Sequence, residues 1–395
     1  MTVSPSTGAV AEIAPEARPV RVVVVMPLAT ARGGGEEMLR QLMHGGRGQG
    51  IEWIVVFLRD GPMVAELRAL GVESHVVEAG RFRQVWRRVA AVRRVAALAR
   101  RRNADLLFGW MVAGQATAGP AALLARVPCA WYQVGTPRPD WLDRFATLWP
   151  AVGVLTLSRD GLAAQARLRP HHPVTLVHPG VALDRAAAAC ATAPAAMRAR
   201  LGLPAAGPLI GTVSRLQRWK GVHVFLDAVA LLRRTRPDLH AVVVGGAHET
   251  EPEYEHELHD QATRLGIADA VTFAGFRANA VEWMQAVDVV VHAAAREPFG
   301  IVIVEAMALG KPVVAGAAGG PAEIIHDGVD GLLVPFGDAA GIARAVERFL
   351  TTPSFAATVG AAAAARAAEF SAEAFAANVC RAVRRMAHSA APPAT

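Results

Sequence analysis

Apolar and polar residues along this chain alternate in blocks rather than singly. Residues 21–26 (RVVVVM) form a near-continuous β-branched run, the pattern of a strand buried on both faces. The glycine cluster Gly33-Gly34-Gly35 then opens a stretch of helical periodicity to Leu42. Short apolar runs follow at 53–58, 74–77, 105–110, 129–134, 152–157 and 174–177, with helical segments between them. This β-α-β rhythm predicts a parallel sheet covered on both faces. A stretch rich in Pro, Ala and Gly at 179–208 interrupts it and reads as a linker with one helical piece. The rhythm restarts with predicted strands at 209–213, 241–244, 271–273, 287–291 and 312–315. Residues 339–387 read as helix, broken near Pro353 and Ser371. The expectation is two doubly wound α/β domains in tandem, with ligands bound beyond the carboxyl ends of the strands, in the cleft between them. The predicted divisions are a flexible leader at 1–19, a first Rossmann-like domain at 20–185, a second at 186–370, and a final helix and tail at 371–395 that return to the first domain.

Length agrees with a two-domain reading, since 395 residues is two to three times a typical domain of about 150. With 53% hydrophobic and 19% charged residues, the chain can bury large cores, which excludes disorder and small disulfide scaffolds. The net charge of +7 favours an anionic partner: nucleic acid, an anionic membrane, or a phosphorylated small molecule. Cys129, Cys190 and Cys380 have no metal-ligand spacing and read as reduced thiols of a cytosolic protein. No signal-peptide pattern occurs in residues 1–19, and no apolar run approaches the ~18 residues a bilayer span needs. A cytoplasmic location, peripheral on the inner membrane face at most, is therefore expected.

Two segments carry candidate chemistry. In the first, Glu297-Pro-Phe-Gly-Ile-Val-Ile-Val-Glu305 precedes Gly310-Lys311-Pro312. Pro298 suits the first turn of a helix and Gly310 its C-terminal cap. A helix N-terminus near Gly300 would present free N–H groups to an anion. Eight residues of helix rise about 12 Å, so the two carboxylates would flank that anion site, a separation that fits a ligand with hydroxyls at both ends and phosphates in the middle, the layout of a nucleotide sugar. They could equally be two ordinary helix carboxylates, but Glu305 lies in an apolar run, where an unpaired carboxylate is costly. The second segment, Gly211-Thr-Val-Ser-Arg215-Leu-Gln-Arg-Trp-Lys220-Gly221, leaves a predicted strand and enters a helix. Arg215 and Lys220 would bring two cations to the cleft mouth, where a diphosphate leaving group needs neutralising; a solvated basic turn is the plainer alternative.

Together these motifs resemble the retaining glycosyltransferases of family 4 (glycosyl transferases group 1), which have the GT-B fold of two Rossmann-like domains facing across a cleft. The resemblance runs from Arg21 to about Arg385 and also includes Val177-His-Pro-Gly180-Val181 and Gly319-Gly320-Pro-Ala-Glu323. It implies transfer of a hexose from a nucleoside-diphosphate sugar to an acceptor hydroxyl in glycan, glycolipid or polysaccharide biosynthesis, with no metal or other cofactor. It further implies catalytic roles for Glu297, which would contact the transferred sugar, and for Arg215 and Lys220, which would hold the diphosphate. Glu305 would contact the ribose, and backbone around Phe299, Gly300 and Ile301 would complete the donor pocket. Gly34 and Gly35 would bring backbone close to the phosphates and acceptor, and the backbone near Phe276 and Arg277 would hold the base. In one respect the chain departs from the family: no histidine occurs between His75 and His171, where many members carry one beside the reacting sugar. Gln133 or Val134 occupies that position, and Gln133 and Trp110 are the acceptor-side candidates. A glutamine can hydrogen-bond a sugar hydroxyl but cannot carry a proton.

Residues 81–102 (RFRQVWRRVAAVRRVAALARRR) place Phe82, Val85, Val89, Val92 and Ala96 on an apolar stripe, with Arg83, Arg87, Arg94 and Arg101 away from it. Such a helix can rest on anionic lipid or simply cover the first sheet. The patch from His248 to His259 lacks H-E-x-x-H spacing and reads as a solvated face. No nucleic-acid reader motif is present, so nucleic acid is not expected as a partner. A nucleotide-sugar epimerase of similar fold and a non-catalytic nucleotide-sugar or glycan-binding protein remain alternatives.

Overall fold

The computed structural model describes residues 18–30, 33–81, 83–168 and 172–389. Most of the expected leader, Phe82 of the basic stripe and the end of the expected tail lie outside the described residues. The first sheet comprises β1 (Val20–Met26), β2 (Ile51–Phe57), β3 (Glu73–Val76), β4 (Leu106–Trp110), β5 (Cys129–Gln133), β6 (Gly153–Thr156) and β7 (Val174–Leu176). The second comprises β8 (Leu209–Val213), β9 (His240–Val244), β10 (Val271–Gly275), β11 (Val289–His292), β12 (Val313–Gly316) and β13 (Leu332–Val334). Strand orders are β3-β2-β1-β4-β5-β6-β7 and β10-β9-β8-β11-β12-β13, with every pairing parallel. β1 is buried at every position but Arg21, because helices cover both faces of its sheet.

Each order reverses once, between β1 and β4 and between β8 and β11. Chain leaving neighbouring strands there diverges to opposite faces, and a crevice opens between the departing loops. At the first switch point lie the glycine loop and the β4 exit; at the second, the loops carrying Lys220 and Glu297. The two motifs, some 80 residues apart in sequence, thus meet through strand order.

Three local readings need correction. Residues 179–208 hold two helices, Leu183–Cys190 and Pro194–Leu201, the second started by Pro194 and stopped by Gly202 in the left-handed conformation. The three-residue β13 was not anticipated. The basic helix spans Val85–Arg101 and packs through Ala91, Val95, Ala96, Leu98 and Ala99, leaving Val85 exposed. The closing helix, Ala372–Ser389, packs against the first helix, Gly34–Gly45. Gly45 and Gly46 permit that approach: a Cβ on Gly45 would stand 2.9 Å from Ala376 Cβ.

Candidate active site

The loops leaving β8 and β11 are laced together before any charged group is considered. Ala295 N donates to Trp219 O at 2.8 Å. Gly221, at φ +71°, passes so close to the β11 exit that a Cβ there would meet Ala293 O at 2.0 Å. This places Lys220, at the end of the short 3-10 turn Arg218–Lys220, directly against Glu297. Lys220 Nζ lies 2.5 Å from Glu297 Oε2, and both side chains are about nine-tenths buried. His292 Nε2, at the end of β11, lies 2.9 Å from the same oxygen. Burial by itself would push the Glu297 carboxyl up, but the Lys220 charge and the His292 and Lys220 hydrogen bonds hold it far below the usual carboxylate range. His292 is the residue sequence reasoning missed. Its signal was a lone polar side chain closing the apolar run of β11, and among the described residues its buried Nδ1 has no hydrogen-bond partner.

The peptide around Glu297 is fixed from behind by the Gly319-Gly320 turn. Gly320 N donates to Glu297 O at 2.8 Å, and Glu297 N donates to Ala318 O at 3.3 Å. A Cβ on Gly320 would sit 2.2 Å from Phe299 Cα and Phe299 O, both backbone atoms that cannot swing aside. Gly320→Ala is therefore expected to cost about 1–3 kcal/mol by overpacking, visible as a lower melting temperature. An unchanged melt would mean the clamp is slack.

The helix after Glu297 runs Ile301–Ala308. Pro298 and Glu297 both precede it, in a turn closed by Gly300 at φ +114°. The rise computed along a continuous helix from Glu297 to Glu305 therefore does not apply. Gly300 is the N-cap; no side chain caps the helix and no acid lies in its first turn, so its leading amides are open to an anion. Facing them is the glycine loop of the first domain, where a Cβ on Gly34 would lie 3.2 Å from Ile301 Cδ1. Gly35 is packed beneath, with Met111 Cε 2.0 Å from where its Cβ would be. Met111 itself holds φ +61°, a strained setting for a non-glycine residue, at the exit of β4. Phe299 is buried against His178 and Phe370, at ring distances of 5.5 and 5.6 Å, so it can offer a ligand only its backbone.

Glu305, one turn further on, is partly buried and accepts no hydrogen bond from a side chain among the described residues. Burial first, then the Glu37 charge, push its carboxyl up to about 7, against a smaller pull from Arg185. Arg215 is exposed, with Nη1 3.3 Å from His248 Nε2. Arg277 is exposed with its guanidinium 5.5 Å from the Trp283 ring centre, next to the exposed Phe276.

The two acceptor-side candidates belong elsewhere. Trp110 is fully buried and donates its indole N–H to Gly35 O at 2.9 Å, so it supports the glycine loop from below and cannot touch an acceptor. Gln133 is also buried, with Nε2 donating to Asp143 Oδ1 at 2.7 Å. That carboxylate in turn accepts from Arg138 N at 3.0 Å, so Gln133 shapes the loop after β5. Thr136, in this loop, donates to Asp160 Oδ2 at 3.1 Å, and Asp160 accepts both Nε and Nη2 of Arg296, the neighbour of Glu297. Glu323 accepts from the backbone N–H groups of Arg159 and Asp160 at 2.9 and 3.2 Å, capping a first-domain helix from the second domain. The loop after β5 and the Glu297 loop are thereby joined through consecutive hydrogen bonds. Among the described residues, no group of three or more His, Cys, Asp or Glu side chains is placed to hold a metal ion.

Residues 195–366 match the family model described as glycosyl transferases group 1. A D-inositol 3-phosphate glycosyltransferase of Streptomyces scabiei is 41% identical over 203 residues, covering 50% of this chain and 45% of its own. The lipopolysaccharide core biosynthesis glycosyltransferase LpsE of Rhizobium meliloti is 38% identical over 157 residues, 40% of this chain and 44% of its own. The chain thus spans about half the length of the curated relatives it matches. Among solved structures, Anabaena Alr3699/HepE in complex with UDP and glucose superposes with a TM-score of 0.80 at 26% identity, over 92% of this chain and 99% of that one. Sucrose-phosphate synthase from Thermosynechococcus elongatus, at 23% identity over 94% of this chain and 100% of that one, has a TM-score of 0.79 and shows the fold alone. The chain resembles the glycosyl transferases group 1, and its fold is GT-B.

Proposed function

We propose that this protein is a retaining, metal-independent glycosyltransferase that moves a sugar from a nucleoside-diphosphate donor to an acceptor hydroxyl on a glycan, a lipid-linked sugar or a small polyol. One observation carries the reading: the buried Lys220–Glu297–His292 cluster sits at the switch point of the second sheet, beside an uncapped helix N-terminus. As the anomeric C–O bond breaks, its electron pair moves onto the diphosphate. Lys220, Arg215 and the amides following Gly300 stabilise the charge that develops there. Glu297, oriented by His292, holds the sugar, and Glu305 holds the ribose. The acceptor oxygen forms the new bond on the face the diphosphate leaves, and its proton passes to a phosphate oxygen. No step in this scheme calls for a histidine at the position of Gln133. The complexes of Alr3699/HepE with UDP and with UDP-glucose support a nucleotide-sugar donor.

The test is a thermal-shift panel of nucleoside-diphosphate sugars without added metal. The true donor at about a hundredfold excess over Kd should raise Tm by about 5 °C. The same donor, given a panel of polyol and glycan acceptors, should release nucleoside diphosphate. No shift with any sugar nucleotide overturns the reading. A shift followed by isomerised donor and no transfer would mark an epimerase, and a shift with no turnover a binding protein.

A further inference from the structure

We infer that a cavity within the second domain binds a hexose ring, as a free sugar or as one residue of a glycan chain. Its volume is about 560 Å³, within the range of small-molecule sites, and its lining comes from the second domain alone. It opens between the helices Val222–Arg233 and Tyr254–Arg264, beside Phe336 of the loop that follows β13. Those helices cover one face of the second sheet, whereas helix Ile301–Ala308 of the candidate active site packs on the other. Neither Arg215 nor Glu297 lines the cavity. The rings of its wall touch one another: His223 meets Tyr254 and Phe336 edge-on, with centres 6.1 and 6.3 Å apart.

The chemistry of the lining selects the occupant. Trp219, Tyr254, His223 and Phe336 supply ring surface, and Phe336 is left 47% exposed. A pyranose presents faces of C–H groups, which pack on aromatic rings because ring faces carry negative potential. The polar groups suit its hydroxyls. His223 Nδ1 lies 2.7 Å from Tyr254 Oη, which also accepts from His223 N at 3.2 Å. The Tyr254 O–H has no other acceptor among the described residues, so it donates to Nδ1 and leaves the ring proton on Nε2. That Nε2–H has no partner among the described residues. Burial, outweighing the Asp227 charge, holds His223 below its ordinary value and keeps the ring neutral at pH 7. Gln261 Nε2 donates to His223 O at 2.9 Å and to Asp227 Oδ1 at 2.8 Å, so Oε1 is the atom left to accept. Arg218 is held by Glu257 at 2.6 Å, which leaves Arg264 as the lining cation without an ion pair among the described residues. One free cation beside a carboxylate fits a diphosphate poorly, whereas mixed donors and acceptors fit hydroxyls, each of which is both. Lys220 Nζ lies 4.2 Å from the Trp219 ring centre, so a sugar held here is one indole away from the Lys220–Glu297 pair.

The test is titration of the full chain with the methyl α-glycosides of glucose, mannose and galactose, and with a linear oligosaccharide of each. Binding is followed by the indole N–H resonances, that of Trp219 being assigned with Trp219→Phe. At least one sugar should shift the Trp219 resonance, with a millimolar Kd. Phe336→Ser should weaken that binding about tenfold, the worth of one ring contact. Phe336→Tyr keeps the ring and should bind like the wild type. Both variants should melt like the wild type, since the side chain is half exposed. Tighter binding of an oligosaccharide than of its methyl glycoside assigns the site to a glycan chain, and equal affinity to a free sugar; either supports it. No shift of Trp219 with any of these sugars overturns the proposal. So does a shift that Phe336→Ser leaves at full affinity, which would put the sugar elsewhere. A shift produced by UDP and lost in Phe336→Ser would make the cavity a nucleotide site instead. None of these measurements requires turnover, so they hold or fail separately from the proposed reaction.

Discussion

Lys220→Met is expected to reduce sugar transfer by about 10²–10³-fold, the loss seen when one preorganised group facing developing charge is removed. It should also destabilise the fold, by about 3–5 kcal/mol at most, because it leaves the Glu297 carboxylate buried without its cation. His292 remains at 2.9 Å and offsets part of that cost. Glu297→Gln removes the complementary charge and strands Lys220 in the same way. The double variant Lys220→Met/Glu297→Gln tests the argument, since it buries neither charge. Its melting temperature should recover above that of Lys220→Met while transfer stays at or below the level of either single variant. Stability and activity then part company, as they must if the ion pair serves the donor rather than the fold. Transfer within tenfold of wild type in Lys220→Met would remove the lysine from the reaction. A double variant no more stable than the singles would show that the pair carries no coupled energy.

Acid should reveal the same pair in the wild type. The Glu297 carboxyl is held below its unfolded value, so its contribution to stability is fully present above the unfolded carboxylate pKa of about 4.3 and is lost as pH falls further.

Much of this arrangement was legible in the sequence because each strand is a compact apolar run, and runs buried on both faces leave little doubt about a parallel sheet. The predicted strand at 209–213 coincides with β8, and most others agree to within a residue or two at either end. What failed had physical causes. β13 is three residues, Leu332–Val334, too short for periodicity to register. The helices at Leu183–Cys190 and Pro194–Leu201 looked like linker because Pro and Gly, read as breakers, are there a start and a stop. Trp110 and Gln133 do end β4 and β5, but the direction of each side chain depends on which layer lies beneath it. Trp110 turns under the glycine loop and Gln133 onto Asp143. The contact of Lys220 with Glu297 was out of reach for the same reason: it depends on β8 lying beside β11, and strand order is not written in any local pattern. The joining of Thr136, Asp160 and Arg296 needs both domains in place.

Glu305→Gln should pull stability and donor binding in opposite directions at pH 8. The carboxyl is raised to about 7 by burial and by Glu37, whereas in the unfolded chain it titrates near 4.3. Between those values the folded protein holds a proton that the unfolded chain has lost, so stability falls as pH rises from about 4 to about 7 and is flat beyond. At pH 8 the wild type carries the full penalty of an ionised, partly buried carboxylate beside Glu37. The gap corresponds to about 4 kcal/mol, and solvent screening of this partly exposed site reduces it to about 1–3 kcal/mol. Glu305→Gln keeps the shape and loses the charge, so its melting temperature should exceed that of the wild type at pH 8 and match it near pH 4. Donor affinity should move the other way. An ionised carboxylate accepts from both hydroxyls of a ribose diol, and the amide oxygen of Gln is a weaker acceptor. Wild-type Kd for the donor should therefore rise as pH falls from about 7 to 5, with Glu305→Gln weaker throughout and flat over that range. Melts of the two proteins that run parallel from pH 4 to 8 would show that Glu305 titrates normally. A Gln variant that binds donor as tightly as wild type at pH 8 would take the carboxylate out of the donor pocket.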